Sequence, residues 1–130
     1  MKKMTVLISV ENGCAADKVI KRAKEKLGLK KGTRVLKKDD IKVLFSSGII
    51  QRSVEEVEEL AKHRAYDMLI IPSFAEGVKA FPKIQDVKMY VNNVLGFSVF
   101  VVAVPPRPDE KQVEDAAENL CDIITANIGL

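Results

Sequence analysis

The sequence predicts a three-layer α/β domain, with a parallel sheet of about four or five strands and helices on both faces. The apolar run 67–71 opens with Asp67 and precedes Pro72, as expected for a strand buried on both faces. Similar runs alternate with segments of helical period, which favours parallel strands joined by right-handed crossovers. The length of 130 residues suits one domain, and together these features predict a Rossmann-like fold.

Composition indicates a cytoplasmic globular protein. No apolar run reaches the length of a membrane span, and segment 4–10 is too short and too polar for the core of a signal peptide. The two cysteines form no disulfide framework, which fits a reducing compartment. Trp is absent and aromatic residues make up only 5% of the chain, which argues against nucleic-acid binding by base stacking. We therefore expect neither a membrane nor a nucleic acid as a partner.

The net charge of +3 hides a basic strip in the sequence. Eleven of the 21 Lys and Arg residues lie between Lys18 and Lys42, whereas glutamates cluster at positions 55, 56, 58 and 59. Such a strip could meet nucleic acid or an acidic partner. A solvated helix face and loop is the favoured interpretation, because mixed charged surfaces are normal for soluble domains.

The first unit of the chain is expected to be a strand, a tight turn and a helix. Segment 5–10 is a β-branched apolar strand, and the Asn-Gly pair within 11–14 marks a turn. A helix is expected from Ala15 to a stop near Gly28. Its apolar stripe consists of Ala16, Val19, Ile20, Ala23 and Leu27.

The second unit begins less clearly. Segment 34–36 fits either a short strand or part of a connection, and a clearer strand follows at 41–45. That strand ends in the three small residues 46–48. Ser53 and Glu56 then form a capping-box pattern that predicts the start of a helix. The expected buried stripe of that helix consists of Val54, Val57, Leu60, Ala61 and Ala65.

After the central strand at 67–71 the pattern is less regular. Segment 78–81 is compatible with one helical turn, and a longer helix is expected to close at Gly96. The apolar stripe of the longer helix consists of Val87, Tyr90, Val91, Val94 and Leu95. Prolines end the last strand, 97–104, and Asp109 starts the final helix. The inward face of the final helix consists of Val113, Ala116, Ala117, Leu120, Ile124 and Ile128.

We expect the four clear strands, numbered along the chain, to lie in the order second, first, third, fourth. The chain then reverses direction between the first and third strands, where open α/β sheets bind their ligands. Because Pro72 is expected to end its strand, residues 73–77 would form one loop of this crevice. Residues 11–14 would form the opposite loop, with 46–48 as a neighbour.

Few side chains in the sequence point to catalysis, and none is assigned a catalytic role. The N–H groups around Gly13 form a candidate anion site at a helix start, although a simple tight turn explains the same residues. Cys14 is either a reactive thiolate there or a small packed residue. His63 is expected to act as a cation near a helix end, and a single histidine leaves no metal site. Cys121 is expected in the core.

Segments 8–18, 44–48 and 66–77 resemble the flavoprotein family that includes the flavin-dependent peptidyl-cysteine and phosphopantothenoylcysteine decarboxylases. That family opens with a strand, a Gly- and Ala-containing turn, and a helix with an early lysine, which is similar to the first of these segments. Its second strand ends in a Thr/Ser-rich turn, as 44–48 does. Its central signature is an Asp-led apolar strand followed by Pro-Ala-Ser-Ala-Asn-Thr, which the layout of 66–77 resembles.

The resemblance implies binding of FMN, with the phosphate on the first turn and on Ser46 or Ser47, and the ring or ribityl chain beside 73–77. The residues that it implies for cofactor binding are Gly13, Cys14, Ala15, Ser46, Ser47, Ser73, Phe74, Ala75 and Glu76. It also implies a homo-oligomer, because flavin in this family is typically held between subunits. Glu76 replaces the signature asparagine and no histidine matches the catalytic one, so decarboxylase activity is not expected.

Two functional hypotheses follow from the sequence. One is a small domain that binds FMN or a related phosphorylated ligand, as a flavin-dependent oxidoreductase or a flavin carrier. The other is a non-enzymatic subunit or protein-interaction module that kept the fold and lost the cofactor.

Overall fold

The computed structural model describes residues 2–79 and 82–129. Its five strands are β1 (Met4–Val10), β2 (Val35–Lys38), β3 (Ile41–Phe45), β4 (Met68–Phe74) and β5 (Ser98–Ala103). Its α-helices are α1 (Gly13–Lys26), α2 (Val54–Glu58), α3 (Ile84–Met89) and α4 (Glu110–Ile128). A 3₁₀ turn (Glu59–His63) extends α2, and a π-helical segment (Tyr90–Val94) extends α3.

The five strands form one sheet in the order β2-β3-β4-β1-β5. All neighbours are parallel except β2 and β3, which form an antiparallel pair at one edge. The predicted three-layer α/β fold is therefore confirmed, and residues 35 and 36 of the ambiguous segment 34–36 belong to the edge strand β2. The predicted order is wrong, because β3 pairs with β4 and not with β1. The two strands with the longest buried runs, β1 and β4, both occupy the centre.

Side chains of the sheet alternate between two separate apolar cores. On one face, Val6 and Ile8 pack with α1 and α4. All six residues of the predicted inward face of α4 are buried. On the other face, Leu7 packs with α2, the 3₁₀ turn, α3 and the π-helical segment. Cys121 is buried in the first of these cores, as expected. The sheet is thus covered on both faces, which explains why β1 is buried along its whole length.

Strand β4 contains Pro72 and runs two residues beyond it, so the expectation that Pro72 ends the strand is wrong. The carbonyl of Ile70 accepts a hydrogen bond from the N–H of Ser46, on the β3 side of β4. Because successive backbone groups alternate between the two edges of a strand, the nitrogen of residue 72 faces the same side. Strand β3 has already ended there, so the sheet loses no ladder hydrogen bond because Pro72 lacks an N–H group.

Two predicted helices are shorter and less deeply buried than expected. Ser53 caps α2 by accepting from the Glu56 N–H at 3.1 Å, as predicted, but only Val57 and Leu60 of the expected stripe are buried. Val54, the first residue of α2, is 43% exposed, and α2 makes little more than one turn before it tightens into the 3₁₀ turn. The helix expected before Gly96 consists of the short α3 and a wider π-helical segment, and only Val87 and Val91 of its expected stripe are buried. The predicted turn at 78–81 lies partly outside the described residues.

Candidate functional site

The carboxyl ends of β1 and β4 define the crevice that α/β sheets use for ligands. These strands are neighbours, with Val10 opposite Phe74 at their last paired position. The chain leaving β1 enters α1 on one face of the sheet, whereas the chain leaving β4 enters α3 on the other. Loops that leave adjacent strands toward opposite faces create a gap between them. The predicted adjacency of the first and third strands is therefore confirmed, although by a different strand order.

The start of α1 is more fully hydrogen-bonded than an open anion site. Helix α1 begins at Gly13, and Asn12 is its N-cap. The Asn12 side chain accepts from the Cys14 N–H at 2.8 Å, and the Asn12 carbonyl accepts from the Ala15 N–H at 3.0 Å. A methyl group placed on Gly13 would lie 3.5 Å from Cγ1 of Ile49. Protein groups thus already occupy two of the donors, and the loop after β3 covers the turn.

The same loop also occupies the end of β4 through Gln51. The side-chain oxygen of Gln51 accepts from the hydroxyl of Ser73 at 3.0 Å and from the backbone N–H of Phe74. Its amide nitrogen donates to the carbonyl of Phe74 at 3.4 Å. The amide of Gln51 therefore supplies Phe74 with the acceptor and the donor that β3 would supply if it continued. Sequence reasoning missed Gln51, because one glutamine in a loop carries no periodicity or cap pattern that marks it.

The residues expected after β4 differ in their access to solvent. Ser73 is fully buried, Phe74 and Ala75 are half-buried, and Glu76 is exposed. The Ala75 N–H donates to the carbonyl of Val10 at 2.7 Å, which continues the pairing of β4 with β1. Exposure of Glu76 leaves its carboxylate hydrated, so it does not place a buried negative charge in the crevice.

A hollow of about 360 Å³ lies between α1, the loop that follows it, and the end of β3. Ser46 and Ser47, two of the expected cofactor residues, line it. Five cationic side chains line it as well, namely Lys21, Lys24, Lys30, Lys31 and Arg34. We call this cavity the basic hollow. It gathers part of the basic strip in a concave site, although a solvated face was the favoured interpretation.

A second hollow of about 250 Å³ lies on the other side of the α1 start. Cys14, Ala15 and Lys18 line it on one side, and residues 105–108 line it on the other. The expected cofactor residues are therefore divided. Ser46 and Ser47 line the basic hollow, whereas Cys14 and Ala15 line this one.

The cysteines and the histidine show no catalytic arrangement. Cys14 is exposed, and Cys121 donates its thiol to the carbonyl of Ala23 at 3.4 Å. Burial raises the pKa of the Cys121 thiol. The ring of His63 lies 6.0 Å from that of Tyr66 in an edge-to-face arrangement. Within residues 2–79 and 82–129, no three His, Cys, Asp or Glu side chains are grouped so that they could hold a metal ion.

Comparisons of the chain with protein-family models, with curated proteins and with solved structures found no match. Among the described helices, none combines the length and the apolar character needed to cross a membrane. Any assignment of function therefore depends on the residues of this chain and their geometry.

Proposed function

We propose that this domain binds a small phosphorylated molecule at the carboxyl edge of its sheet, with FMN as the first candidate. The observation that carries this proposal is the pairing of β1 with β4, whose following helices lie on opposite faces of the sheet. Ligands of open α/β sheets bind at such a reversal, where a helix N-terminus favours phosphate. The start of α1 supplies that terminus, and the resemblance to flavoproteins suggests the ligand.

A ligand in this crevice has to displace part of the loop 46–53. A phosphate near Gly13 competes with the side chain of Ile49, and a ring beside Ser73 competes with the amide of Gln51. In this proposal the loop opens to admit the ligand, and Ser46 or Ser47 then donates to the phosphate. None of these residues supplies acid–base chemistry, so the role is binding or electron carriage by flavin and not decarboxylation.

Purified protein tests this proposal directly. Flavin absorbance that survives gel filtration, or stabilisation by added FMN, is expected. At a ligand concentration of one hundred times Kd, binding stabilises the fold by about 2.7 kcal/mol. A Gly13→Ala variant should keep its stability, since the added methyl makes an ordinary contact with Ile49, yet bind FMN more weakly. A colourless protein whose melting temperature does not change when FMN is added would refute the proposal.

The second candidate is an interaction module that lost its cofactor. Its support is the hydrogen bonding of Gln51 to Ser73 and Phe74, together with Ile49 over Gly13, because these contacts fill the crevice with protein. This hypothesis predicts that neither FMN nor riboflavin stabilises the chain, and that Gly13→Ala changes neither the stability nor the response to these ligands.

Self-association is part of the proposal and is supported by the free edge of β5. Strand β5 carries no charge, and Phe100 and Val101 are 44% and 39% exposed. The opposite edge strand, β2, ends in Lys37 and Lys38, a usual protection against edge pairing. Two copies could pair their β5 strands antiparallel about a two-fold axis.

Light scattering on the variants tests this edge. We expect a dimer for the wild type, a monomer for Val101→Lys, and a dimer for Val54→Lys, which adds the same charge to another exposed valine. A monomeric wild type, or equal behaviour of the two variants, would exclude pairing through β5.

A further inference from the structure

Among the residues that the structure describes, the cations of the basic hollow form no ion pair. Asp17 and Glu25 also line the hollow, so cations outnumber carboxylates five to two. The ion pairs within the described part of the chain involve Arg22, Lys26 and Lys62, and none of the five cations of the hollow. A concave group of unpaired like charges is self-repelling, and a bound anion would relieve that repulsion.

Lys24 contacts an aromatic ring in this hollow. Its ammonium lies 5.1 Å from the centroid of the Phe45 ring, within the range of a cation–π interaction. Burial, and then the nearby charge of Arg34, lower the pKa of Lys24. A lysine held in this way is partly desolvated, so it would interact with an anion more strongly than a fully hydrated surface lysine.

Part of the lining of the hollow is apolar. Ile20, Leu29 and Phe45 line it together with the cations, and Ile20 and Phe45 are buried. A volume of about 360 Å³ falls in the range of small-molecule sites, which are mostly apolar with a few polar groups that fix orientation. Nucleic acid fits less well, because Lys24 covers the face of Phe45 on which a base would stack.

We propose that the basic hollow binds a small organic phosphate. The phosphate lies near Lys24 and Arg34, where the hydroxyls of Ser46 and Ser47 add donors. The apolar part of the ligand lies against Ile20 and Leu29. This site borders the crevice between β1 and β4 and shares Ser46 and Ser47 with it, but neither Gly13 nor residues 73–76 line it, and it does not depend on FMN binding there.

Calorimetric titration with phenyl phosphate and with inorganic phosphate tests the site. Phenyl phosphate is expected to bind with a Kd of about 1 mM or tighter, and at least about tenfold more tightly than inorganic phosphate. Lys24→Met should weaken the binding of phenyl phosphate at least about tenfold, whereas Lys24→Arg should retain most of the affinity. Leu29→Ser should weaken the binding of phenyl phosphate but leave the affinity for inorganic phosphate unchanged.

Lys18→Met is the matched control, since it removes one charge from the same helix at a residue outside the basic hollow. It should bind phenyl phosphate as the wild type does. Equal losses in Lys18→Met and Lys24→Met would indicate diffuse attraction and overturn the proposal. So would the absence of phenyl phosphate binding to folded protein, or tighter binding of a single-stranded oligonucleotide. Gly13→Ala distinguishes the two sites, because it should weaken the binding of FMN and leave the binding of phenyl phosphate unchanged.

Discussion

The hydroxyl of Ser73 donates to the side-chain oxygen of Gln51 at 3.0 Å, across the gap left where β3 ends beside β4. Both residues are buried, and the same oxygen also accepts from the N–H of Phe74. A single side chain thus completes the hydrogen bonding of the last residues of β4. It does so in the part of the fold where a ligand would otherwise meet the strand.

Gln51→Leu is expected to destabilise the fold by about 2 kcal/mol, because it leaves buried polar groups of β4 without a partner. Urea unfolding measures this loss, and Gln85→Leu, at an exposed position on α3, is the control. Adding Ser73→Ala to Gln51→Leu should cost less than the sum of the two single changes. Strict additivity would show that the hydrogen bond between them contributes nothing.

Pro72→Ala is expected to change stability by less than about 1 kcal/mol, mainly through greater freedom of the unfolded chain. The reason is that the nitrogen of residue 72 faces the β3 side of β4, at a position where β3 has already ended. Ile71→Pro should be more destabilising than Ile71→Ala, because the nitrogen of residue 71 faces β1. Chemical denaturation of the three variants provides the comparison. Similar stabilities for Ile71→Pro and Ile71→Ala would contradict the alternation of backbone groups between the two edges of β4.

Asn12→Ala is expected to destabilise the protein by about 1 kcal/mol, because it removes the side-chain acceptor at the start of α1. Asn12→Ser should retain most of the stability, since serine is also a strong N-cap. Thermal unfolding of both variants measures the difference. If alanine and serine prove equal at this position, the cap contributes nothing to the fold.

The pH dependence of stability should include a contribution from Glu114 on α4. The hydrogen bond from Lys26 holds the pKa of Glu114 below its ordinary value of 4.5, and Arg22 lies 3.2 Å from the same carboxylate. Since the folded state releases this proton more readily, the contribution is complete above about pH 4.5 and is lost as pH falls through the folded-state pKa. Glu114→Gln should therefore flatten the acid decline of the urea midpoint. Lys26→Met, which removes the hydrogen bond that lowers the pKa of Glu114, should flatten the decline as well.

Local features of this protein could be predicted from the sequence. The caps at Ser53 and Asp109 and the buried face of α4 follow from patterns within a few residues, and the structure confirms them. The partial exposure of β5 could not be predicted from its apolar run. An edge strand and a central strand can have the same composition, and only the strand order distinguishes them.

The alternation of strands and helices, the helix caps and the apolar surfaces follow from the amino-acid sequence alone, because they depend on period and on neighbouring residues. The position of β4 between β3 and β1, and the presence of Pro72 within the sheet, are visible only in the folded chain. The same is true of Gln51 at the end of β4 and of the partly apolar hollow that the basic strip lines. Each of these relationships depends on contacts between segments far apart in the chain, which no local pattern encodes.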